Sequence, residues 1–278
     1  MSRSANAEAN GHFHNGLAVL ESLPESAQRD RQELILQTTL GMSFIASAGF
    51  GSPDVERAFR RARLLCQDVG DTPDLIPVLW GTWWFHEVRA ELDTAGELAQ
   101  QLHELARLQQ DVGALLPACR AVGQTAFWFG DFETTRRQLE QAIVIYQPDL
   151  HRLHTLQFGQ DPGVAVHNFL SHGLWFLGYP DQGLARMQDG LALETQFSHL
   201  FSHAFALCWA SSLHIFRGEL RDALEHADAA LTLSRDQGFP FFVALATILH
   251  GAAASRAIVV PDFAPLDRKE RHGSRQLT

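Results

Sequence analysis

The chain contains fourteen histidines, a residue type that commonly binds metal ions. His199 and His203 lie four residues apart, which places both imidazoles on one helical face, within reach of a single ion. The HExxH pattern is absent, since Arg107 stands where His103-Glu104 would need its second histidine. No pair of cysteines supports a zinc cluster. The sequence therefore predicts structural or surface histidines and no metal site.

Groups for covalent or acid–base catalysis are also sparse. The chain has no G-x-S-x-G elbow, and its single lysine, Lys269, leaves the body of the protein without a Schiff-base or phosphate-loop lysine. Carboxylates such as Glu87 and Asp131 are spread over the positions of solvated helix faces. We therefore predict a chain that is not an enzyme, has no catalytic residues and binds no cofactor. The three widely spaced cysteines indicate reduced, buried thiols of a cytoplasmic protein, and they are Cys66, Cys119 and Cys208.

Aromatic residues are concentrated in the segments predicted below as the first helices of helical hairpins. At helical spacing such residues usually fill a core. The first helices of a hairpin array also line its concave groove, where aromatic and polar groups together suit the binding of a peptide. Counting back three and six residues from the ends of the first helices gives Ile215 and seven candidate groove residues, Trp84, Glu87, Gln124, Phe127, His172, Trp175 and Ser212.

A segment at 147–162 (QPDLHRLHTLQFGQDP) interrupts the regular spacing of the chain. A long loop in a compact array is either functional or disordered. Asp161 can cap the following helix, with Pro162 in its first turn, while glycines permit a sharp reversal. A second interpretation is that His151 docks this segment against the groove. The candidate residues of this structural loop are His151, Gly159, Gln160, Asp161, Pro162 and Gly163.

An internal repeat predicts the elements that position these residues. Equivalent turn positions recur at 53, 90, 130, 178 and 218, at intervals of 37, 40, 48 and 40 residues. The longest interval contains the 147–162 insertion. Small side chains let two helices of a hairpin approach closely, and small residues follow each turn position by five residues, at Ala58, Ala95, Thr135, Gly183 and Ala223.

A second mark falls where the second helix of a hairpin ends. Asp-X-Gly triplets supply a left-handed glycine cap, and a proline suited to the first turn of the next helix follows within a few residues. The predicted caps and prolines are Gly70 with Pro73, Gly113 with Pro117, and Gly238 with Pro240.

Both marks together predict an all-α fold, a right-handed superhelical solenoid of tetratricopeptide-like helical hairpins. The array spans residues 1–255 and has partial units at both ends. Residues 256–278 are predicted to form a disordered tail. The predicted hairpins cover 31–69, 74–110, 114–146, 163–196 and 200–236.

Composition excludes several classes of protein. A formal charge of −10 argues against binding to nucleic acid, which requires a cationic surface. The 46% hydrophobic content is typical of a folded protein. Three stretches without charged residues are too polar to span a membrane, and no leader segment is recognisable. We therefore expect a cytoplasmic protein that binds neither nucleic acid nor membrane.

Several segments resemble a known bacterial region, the tetratricopeptide-like C-terminal part of multidomain signalling proteins whose N-terminal parts carry an adenylate/guanylate cyclase or kinase domain and an ATPase module. The resemblance covers residues 3–252 and implies a regulatory or sensor arm. The cyclase and ATPase parts are missing from this chain, and so is any G-x-x-x-x-G-K-[ST] loop. The similar segments are QELILQTTLG (32–41), SPDVERAFRRARLLCQDVGD (52–71), PVLWGTWWFHEVRAELDTAGELAQQL (77–102), GQDPGVAV (159–166), LGYPDQGLARM (177–187) and QGFPFFVALATILHG (237–251).

Two functions remain open at this point. The first is a non-catalytic interaction or regulatory module that binds a protein segment, upstream cyclase or ATPase domains, or a second copy of the chain through its uncapped ends. The second is a sensor that binds a small molecule in an aromatic groove near the 147–162 insertion. The unfinished ends of the array also favour a fragment of a longer protein.

Overall fold

A computed structural model describes residues 3–69, 75–110, 112–197 and 199–259 of the chain. Within these ranges the protein consists of thirteen α-helices and one 3₁₀ turn at Pro148–Leu150, with no strand, so the all-α prediction is confirmed. The helices are α1 (Arg3–Glu21), α2 (Ala27–Ala48), α3 (Pro53–Val69), α4 (Leu75–Val88), α5 (Leu92–Gln109), α6 (Val112–Trp128), α7 (Phe132–Ile145), α8 (His151–Phe158), α9 (Pro162–Phe176), α10 (Pro180–Phe197), α11 (Leu200–Arg217), α12 (Leu220–Gln237) and α13 (Pro240–Val259).

Consecutive helices pack against each other in pairs. The pairs α2–α3, α4–α5, α6–α7, α9–α10 and α11–α12 form the five predicted hairpins, and α1 and α13 pack against α2 and α12. Helix bounds agree with the predicted ones to within four residues. Each pair leaves apolar surface that the next pair covers, so most of the buried residues form one continuous core.

The turns that end the first helices share one backbone geometry. Residues 90, 130, 178 and 218, predicted from the repeat, all have positive φ, with values of 59°, 79°, 86° and 77°. In each turn the following N–H donates to a carbonyl five residues earlier at 2.8 to 3.0 Å, which is the Schellman closure of a helix. The four bonds run from Glu91 to His86, Asp131 to Ala126, Tyr179 to Leu174 and Glu219 to His214.

Two of these turns carry the same side-chain clamp. Glu91 accepts hydrogen bonds from His86 at 2.6 Å and from Arg89 at 2.9 Å. The same clamp occurs at the turn between α11 and α12. There Glu219 accepts hydrogen bonds of 2.7 and 2.9 Å from the side chains of His214 and Arg217. The clamp ties the end of a first helix to the start of its partner helix.

One predicted cap is wrong. Gly238 caps α12 in the left-handed conformation, as predicted, with φ of 71°. Gly113, however, lies inside α6, and α5 is closed by Gln110 with φ of 53°. Gly70 and Pro73 lie outside the described residues. The Asp-X-Gly triplet correctly predicts that α5 ends and α6 begins near 110–113. It does not predict that Gln110 adopts the left-handed conformation.

Pro117 lies in the interior of α6 rather than in its first turn, which corrects the prediction, whereas Pro240 begins α13 as predicted. A proline has no N–H to donate to the carbonyl four residues earlier, here that of Gly113. The Nε2 atom of His154 donates to this carbonyl at 3.0 Å. The 147–162 insertion therefore docks where the proline interrupts the hydrogen bonding of α6.

The insertion itself is helical rather than a loop. Helix α8 occupies 151–158 and packs against α4 and α9, with Phe158 buried. The indole N–H of Trp80 donates to the Phe158 carbonyl at 3.2 Å. The loop prediction rested on the prolines and the glycine, all of which lie at the ends of the segment. The ten residues between Pro148 and Gly159 carry no helix breaker.

Small residues stand where paired helices touch most closely. Gly183 on α10 is the tightest case, because a Cβ atom there would lie 2.6 Å from the backbone oxygen of Ser171 on α9. Its four counterparts in the repeat are all buried, and they are Ala58, Ala95, Thr135 and Ala223. The small residues thus act as predicted from the repeat.

The last described helix packs back against an early part of the chain. Helix α13 contacts α2, and the rings of Phe50 and Phe241 lie 5.0 Å apart. Helix α13 continues to Val259, so the start of the predicted tail at 256 is helical, and 260–278 lie outside the described residues. None of the described helices combines the length and the apolar character needed to cross a membrane.

Replacement of Ala90 by glycine should stabilise the fold. Ala90 occupies the turn position that is glycine at 130, 178 and 218, and its left-handed conformation (φ 59°) is unfavourable for an L-residue. We expect Ala90→Gly to raise the unfolding free energy by about 1 kcal/mol in urea titrations. Gly130→Ala is the matched control, since a Cβ atom there contacts nothing within 4 Å, and should lower stability. Equal signs for the two variants would contradict this account.

Candidate functional site

A cavity of about 610 Å³ opens between the first helices of the hairpins. Helices α4, α6, α9, α11 and α13 contribute to its wall. The wall is largely carbon, with polar groups confined to a few positions. Its aromatic residues are Phe50, Trp84, Phe127, Trp128, Phe129, Phe132, Phe169, Phe176, Phe205, Trp209, Phe216 and Phe241.

Six of the seven candidate groove residues line this cavity together. They are Trp84, Glu87, Gln124, Phe127, His172 and Ser212. Trp175 is not among the lining residues. It packs against a separate cluster around Met187, Ala210 and Leu213 and stacks on Phe216 at 5.0 Å. Ile215, at the equivalent position of the next hairpin, packs beside Ala223 and Ala253 instead.

The helical register explains which candidates reach the cavity. All four positions six residues before the turn line it, namely Trp84, Gln124, His172 and Ser212. Residues four later and three earlier than these lie on the same helical face. This face therefore includes residues that the sequence reasoning did not select for the groove, and they are Trp128, Phe169, Phe176, Trp209 and Phe216. Selecting residues by the helical period of 3.6, rather than only those three and six residues before each turn, would have included them.

Tilted and edge-to-face contacts between rings hold the aromatic wall in place. Trp209 lies at its centre, with ring centroids 4.3 Å from Phe169 and 4.7 Å from His172. Near the mouth, Phe132 and Phe176 stack in parallel at 4.6 Å. Such pairs contribute about 0.5–1.5 kcal/mol each beyond burial, so they stabilise the arrangement of the wall.

Several aromatic residues of the wall remain unusually exposed. The exposed fractions are 47% for Trp128, 55% for Phe129, 42% for Phe176 and 40% for Phe216. All four line the cavity. Contiguous exposed apolar surface of this kind marks binding sites on folded proteins. These residues form what we call the aromatic rim.

Glu87 lies in the wall with 6% exposure. Its Oε2 atom accepts a hydrogen bond from the Gln124 amide at 2.6 Å, and its Oε1 atom has no hydrogen-bond partner. Burial raises the pKa of Glu87 to about 8, and Arg120, Gln124 and the Trp128 indole counter only part of this shift. At neutral pH Glu87 is therefore mostly protonated.

Behind this wall lies Arg120, which is fully buried. Its Nε donates to the Gln124 side chain at 3.0 Å, and its Nη2 donates to Gln160 at 2.9 Å. The guanidinium also lies over the rings of Trp80 and Trp84, at 4.8 and 4.9 Å. Burial lowers the pKa of Arg120 to about 9, which leaves it protonated at neutral pH.

The candidate loop connects this cation to α9. Asp161 caps α9, with Pro162 at its start, and accepts from the backbone N–H groups of Gly163 and Val164 at 2.6 and 3.2 Å, as predicted. Gln160 is fully buried beside Arg120, and Gly159 ends α8 with φ of 70°. The side chain of His151 lies outside the described residues. Among the described side chains, Gln160 and His154 dock the insertion against α6.

His172 is a neutral hydrogen-bond acceptor in the wall. Its Nδ1 lies 3.0 Å from the carbonyl oxygen of Asn168, which can only accept, so Nδ1 carries the proton and Nε2 does not. Nε2 is buried without a partner. Burial lowers the pKa of His172 to about 4, so the ring stays uncharged at neutral pH.

The remaining reactive groups do not favour catalysis. Burial raises the pKa of Cys119 to about 11 and that of Cys208, which lines the cavity, to about 12, so both remain thiols. All three cysteines are buried and unbridged. His199 uses its Nδ1 on Ser202 at the start of α11, at 2.9 Å from the hydroxyl.

One group of metal-ligand type occurs among the described residues. The ligand atoms of His214, Glu219 and Asp222 lie within 4.8 Å of one another. The carboxylate of Glu219 is already held by Arg217. Because the equivalent turn at His86 carries the same clamp, this group is explained by turn geometry.

Comparison of the sequence with models of known protein families and with curated proteins found no match. The assignment of function therefore depends on the geometry of the cavity.

Glu87→Gln should change how stability depends on pH. The folded-state pKa of Glu87 lies near 8, above the ordinary value of 4.5, so its stabilising effect is complete below pH 4.5 and is lost as pH rises towards 8. Relative to Glu87→Gln, the wild type should lose unfolding free energy over this range, at up to about 1.4 kcal/mol per pH unit.

The difference between the two proteins is the useful measurement, because Glu194, whose pKa burial also raises to about 8, titrates in both. Glu140→Gln, at an exposed position of α7, serves as the control and should show no such slope. A pH-independent difference between wild type and Glu87→Gln would refute the burial of this carboxyl.

Proposed function

We propose that the chain is a non-catalytic binding module that holds a small, largely apolar ligand in the aromatic cavity. In this proposal the paired helices form a right-handed superhelical solenoid of tetratricopeptide-like hairpins, and the cavity is its concave surface. The observation that supports the proposal most directly is the exposed aromatic rim around a preformed pocket. Its volume, about 610 Å³, falls in the range of small-molecule sites.

The chemistry of the wall supports binding without catalysis. A nucleophile needs a lowered pKa or an adjacent base, whereas burial raises the pKa of Cys208. A general base works best with a pKa near the working pH. Burial lowers the pKa of His172 to about 4, and Glu87, whose pKa is about 8, is hydrogen-bonded to the Gln124 amide, which has no reactive proton. Each group is set for hydrogen bonding in its neutral form.

In the cell, the proposed module is a cytoplasmic sensor or scaffold arm. The sequence resemblance suggests cyclase or ATPase domains as the partners that would receive the signal. The ligand would act on them by stabilising one arrangement of the first helices, because the cavity is built from five of them. Contacts with a second copy through the ends of the array are a further proposal.

The aromatic rim also favours a second candidate, a protein segment as occupant. A peptide with aromatic anchors at helical spacing would cover Trp128, Phe129, Phe176 and Phe216. These residues lie along the mouth of the cavity and are 40–55% exposed.

A neutral, polarity-sensitive dye, N-phenyl-1-naphthylamine, tests the binding proposal directly. We expect one dye per chain, with blue-shifted fluorescence, because the cavity shields the dye from water. Trp209→Ala removes the centre of the wall and should weaken binding about tenfold, which corresponds to about 1.4 kcal/mol of lost aromatic contact. Fluorescence titration measures both effects.

Trp175→Ala is the matched control, since it removes the same side chain from the neighbouring helix but outside the cavity wall. Its effect on dye affinity should stay below about threefold. Failure of the wild type to bind the dye, or equal losses in the two variants, would refute the cavity as a binding site.

A further inference from the structure

We propose that the cavity selects a hydrophobic cation, an aromatic or aliphatic body that carries one positive charge, with the charge placed against Glu87. This inference rests on the proposed binding function and adds the chemical class of the ligand. It follows from three features of the wall, namely an unpartnered carboxyl oxygen, the local balance of charges and the aromatic faces.

The first feature is the Oε1 atom of Glu87. Glu87 is only 6% exposed and lines the cavity. Its Oε1 atom has no hydrogen-bond partner. Leaving such an atom unsatisfied costs about 1–3 kcal/mol. A neutral apolar ligand would seal the cavity and leave this cost in place. A ligand with a positive charge beside Oε1 offsets this cost, because it attracts the ionised carboxylate electrostatically.

The second feature is the charge balance behind the wall. Arg120 lies between two carboxyl groups, Glu87 and Asp161, both of which act on its guanidinium. With Glu87 protonated, Arg120 and Asp161 balance each other. With Glu87 ionised, the three groups carry one uncompensated negative charge. A cation in the cavity supplies the missing positive charge, whereas the described lining residues include no lysine or arginine that could pair with an anion.

The third feature is the set of aromatic faces beside Glu87. Cations bind over such faces with about 0.5–2 kcal/mol of stabilisation when desolvated. The Trp84 ring already binds one cation in this way, since the Arg120 guanidinium lies 4.9 Å from its centroid. Among the described residues that line the cavity there is no lysine or arginine to repel a second cation.

Binding of a cation should couple to proton release. The groups that face Glu87 are the Arg120 guanidinium, the Gln124 amide and the Trp128 indole, all on α6. On α4 itself, His86 and Arg89 pair with Glu91. Of the other titratable wall groups, His172 on α9 stays neutral above pH 5 and Cys208 on α11 stays a thiol. Glu87 therefore loses its proton to solvent as the cation binds, and the charge of the site stays balanced.

An isosteric pair of ligands separates charge from shape. The probes are 2-naphthylmethyl-trimethylammonium, a permanent cation, and 2-(2,2-dimethylpropyl)naphthalene, in which carbon replaces the charged nitrogen. Each is titrated against bound N-phenyl-1-naphthylamine. In the wild type we expect the affinity for the cation to rise about tenfold from pH 6.5 to pH 8.5, because ionised Glu87 becomes more populated. The neutral isostere should show no such rise.

Glu87→Gln keeps the shape of the side chain and removes the charge. It should lower the affinity for the cation at pH 8.5 about tenfold relative to the neutral isostere, and it should abolish the rise with pH. Glu140→Gln removes one charge from the exposed face of α7 and should leave the ratio of the two affinities unchanged. Calorimetry of the wild type at pH 7 in phosphate and in Tris should show release of about one proton per bound cation, a readout that needs no variant.

The outcomes distinguish this inference from the binding proposal. If the dye binds but the two isosteres share one pH profile, or Glu87→Gln leaves their affinity ratio unchanged, the cation inference is wrong and the binding site stands. Displacement of the dye by the peptide acetyl-Phe-Arg-Phe-amide but by neither naphthyl compound would also overturn the inference, in favour of a protein segment. If the dye itself fails to bind, the proposed function fails.

Discussion

The buried guanidinium of Arg120 is the interaction on which the interior of this protein depends. An isolated charge in a protein core is unfavourable by several kcal/mol or more unless it is paired and hydrogen-bonded. Arg120 meets most of this requirement, with only its Nη1 atom lacking a hydrogen-bond partner. It does so by drawing together parts that are remote in sequence, with Trp80, Trp84 and Glu87 from α4 and Gln160 and Asp161 from the junction of α8 and α9. Its position thereby sets where the insertion docks and which side of α4 faces the cavity.

The insertion and the cavity are consequently two sides of one wall. On the outer side, α8 is anchored by His154 at the carbonyl freed by Pro117 and by the bond from Trp80 to Phe158. On the inner side, Trp84 and Glu87 face the cavity. A ligand that changes the ionisation of Glu87 therefore acts on a network that extends through Arg120 to the start of α9. This gives the proposed sensor a physical route from the ligand to the packing of helices.

The cavity wall illustrates how rigid packing and exposure coexist in one site. Tilted and edge-to-face contacts around Trp209 hold the deep part of the wall, where most rings are buried. Toward the mouth, the same helical face continues into residues that no described helix covers fully, such as Phe129 and Phe176. Aromatic surface at the mouth and neutral polar groups inside are the combination that small-molecule sites require.

The local structure of this protein was determined by its sequence alone. Turn residues with positive φ, small residues at helix contacts and the cap at Asp161 are local or nearest-neighbour requirements, so the helices of the five hairpins, their pairing and six positions of the cavity wall could be derived from spacing. Even there, the predictions for Gly113 and Pro117 were wrong. Sequence spacing does not fix a helix boundary to within a few residues, and a shift of that size turns a predicted cap into a position inside a helix.

Only the tertiary structure decided which faces of the first helices converge. The approach of α13 to α2, the exclusion of Trp175 from the wall and the pairing of Arg120 with Gln160 all depend on the angle between successive hairpins. That angle arises from many side-chain contacts between hairpins, each too weak to leave its own sequence pattern. The repeat determined that an array forms, and the summed packing of its hairpins determined that the array encloses an aromatic cavity with a buried carboxyl group in its wall.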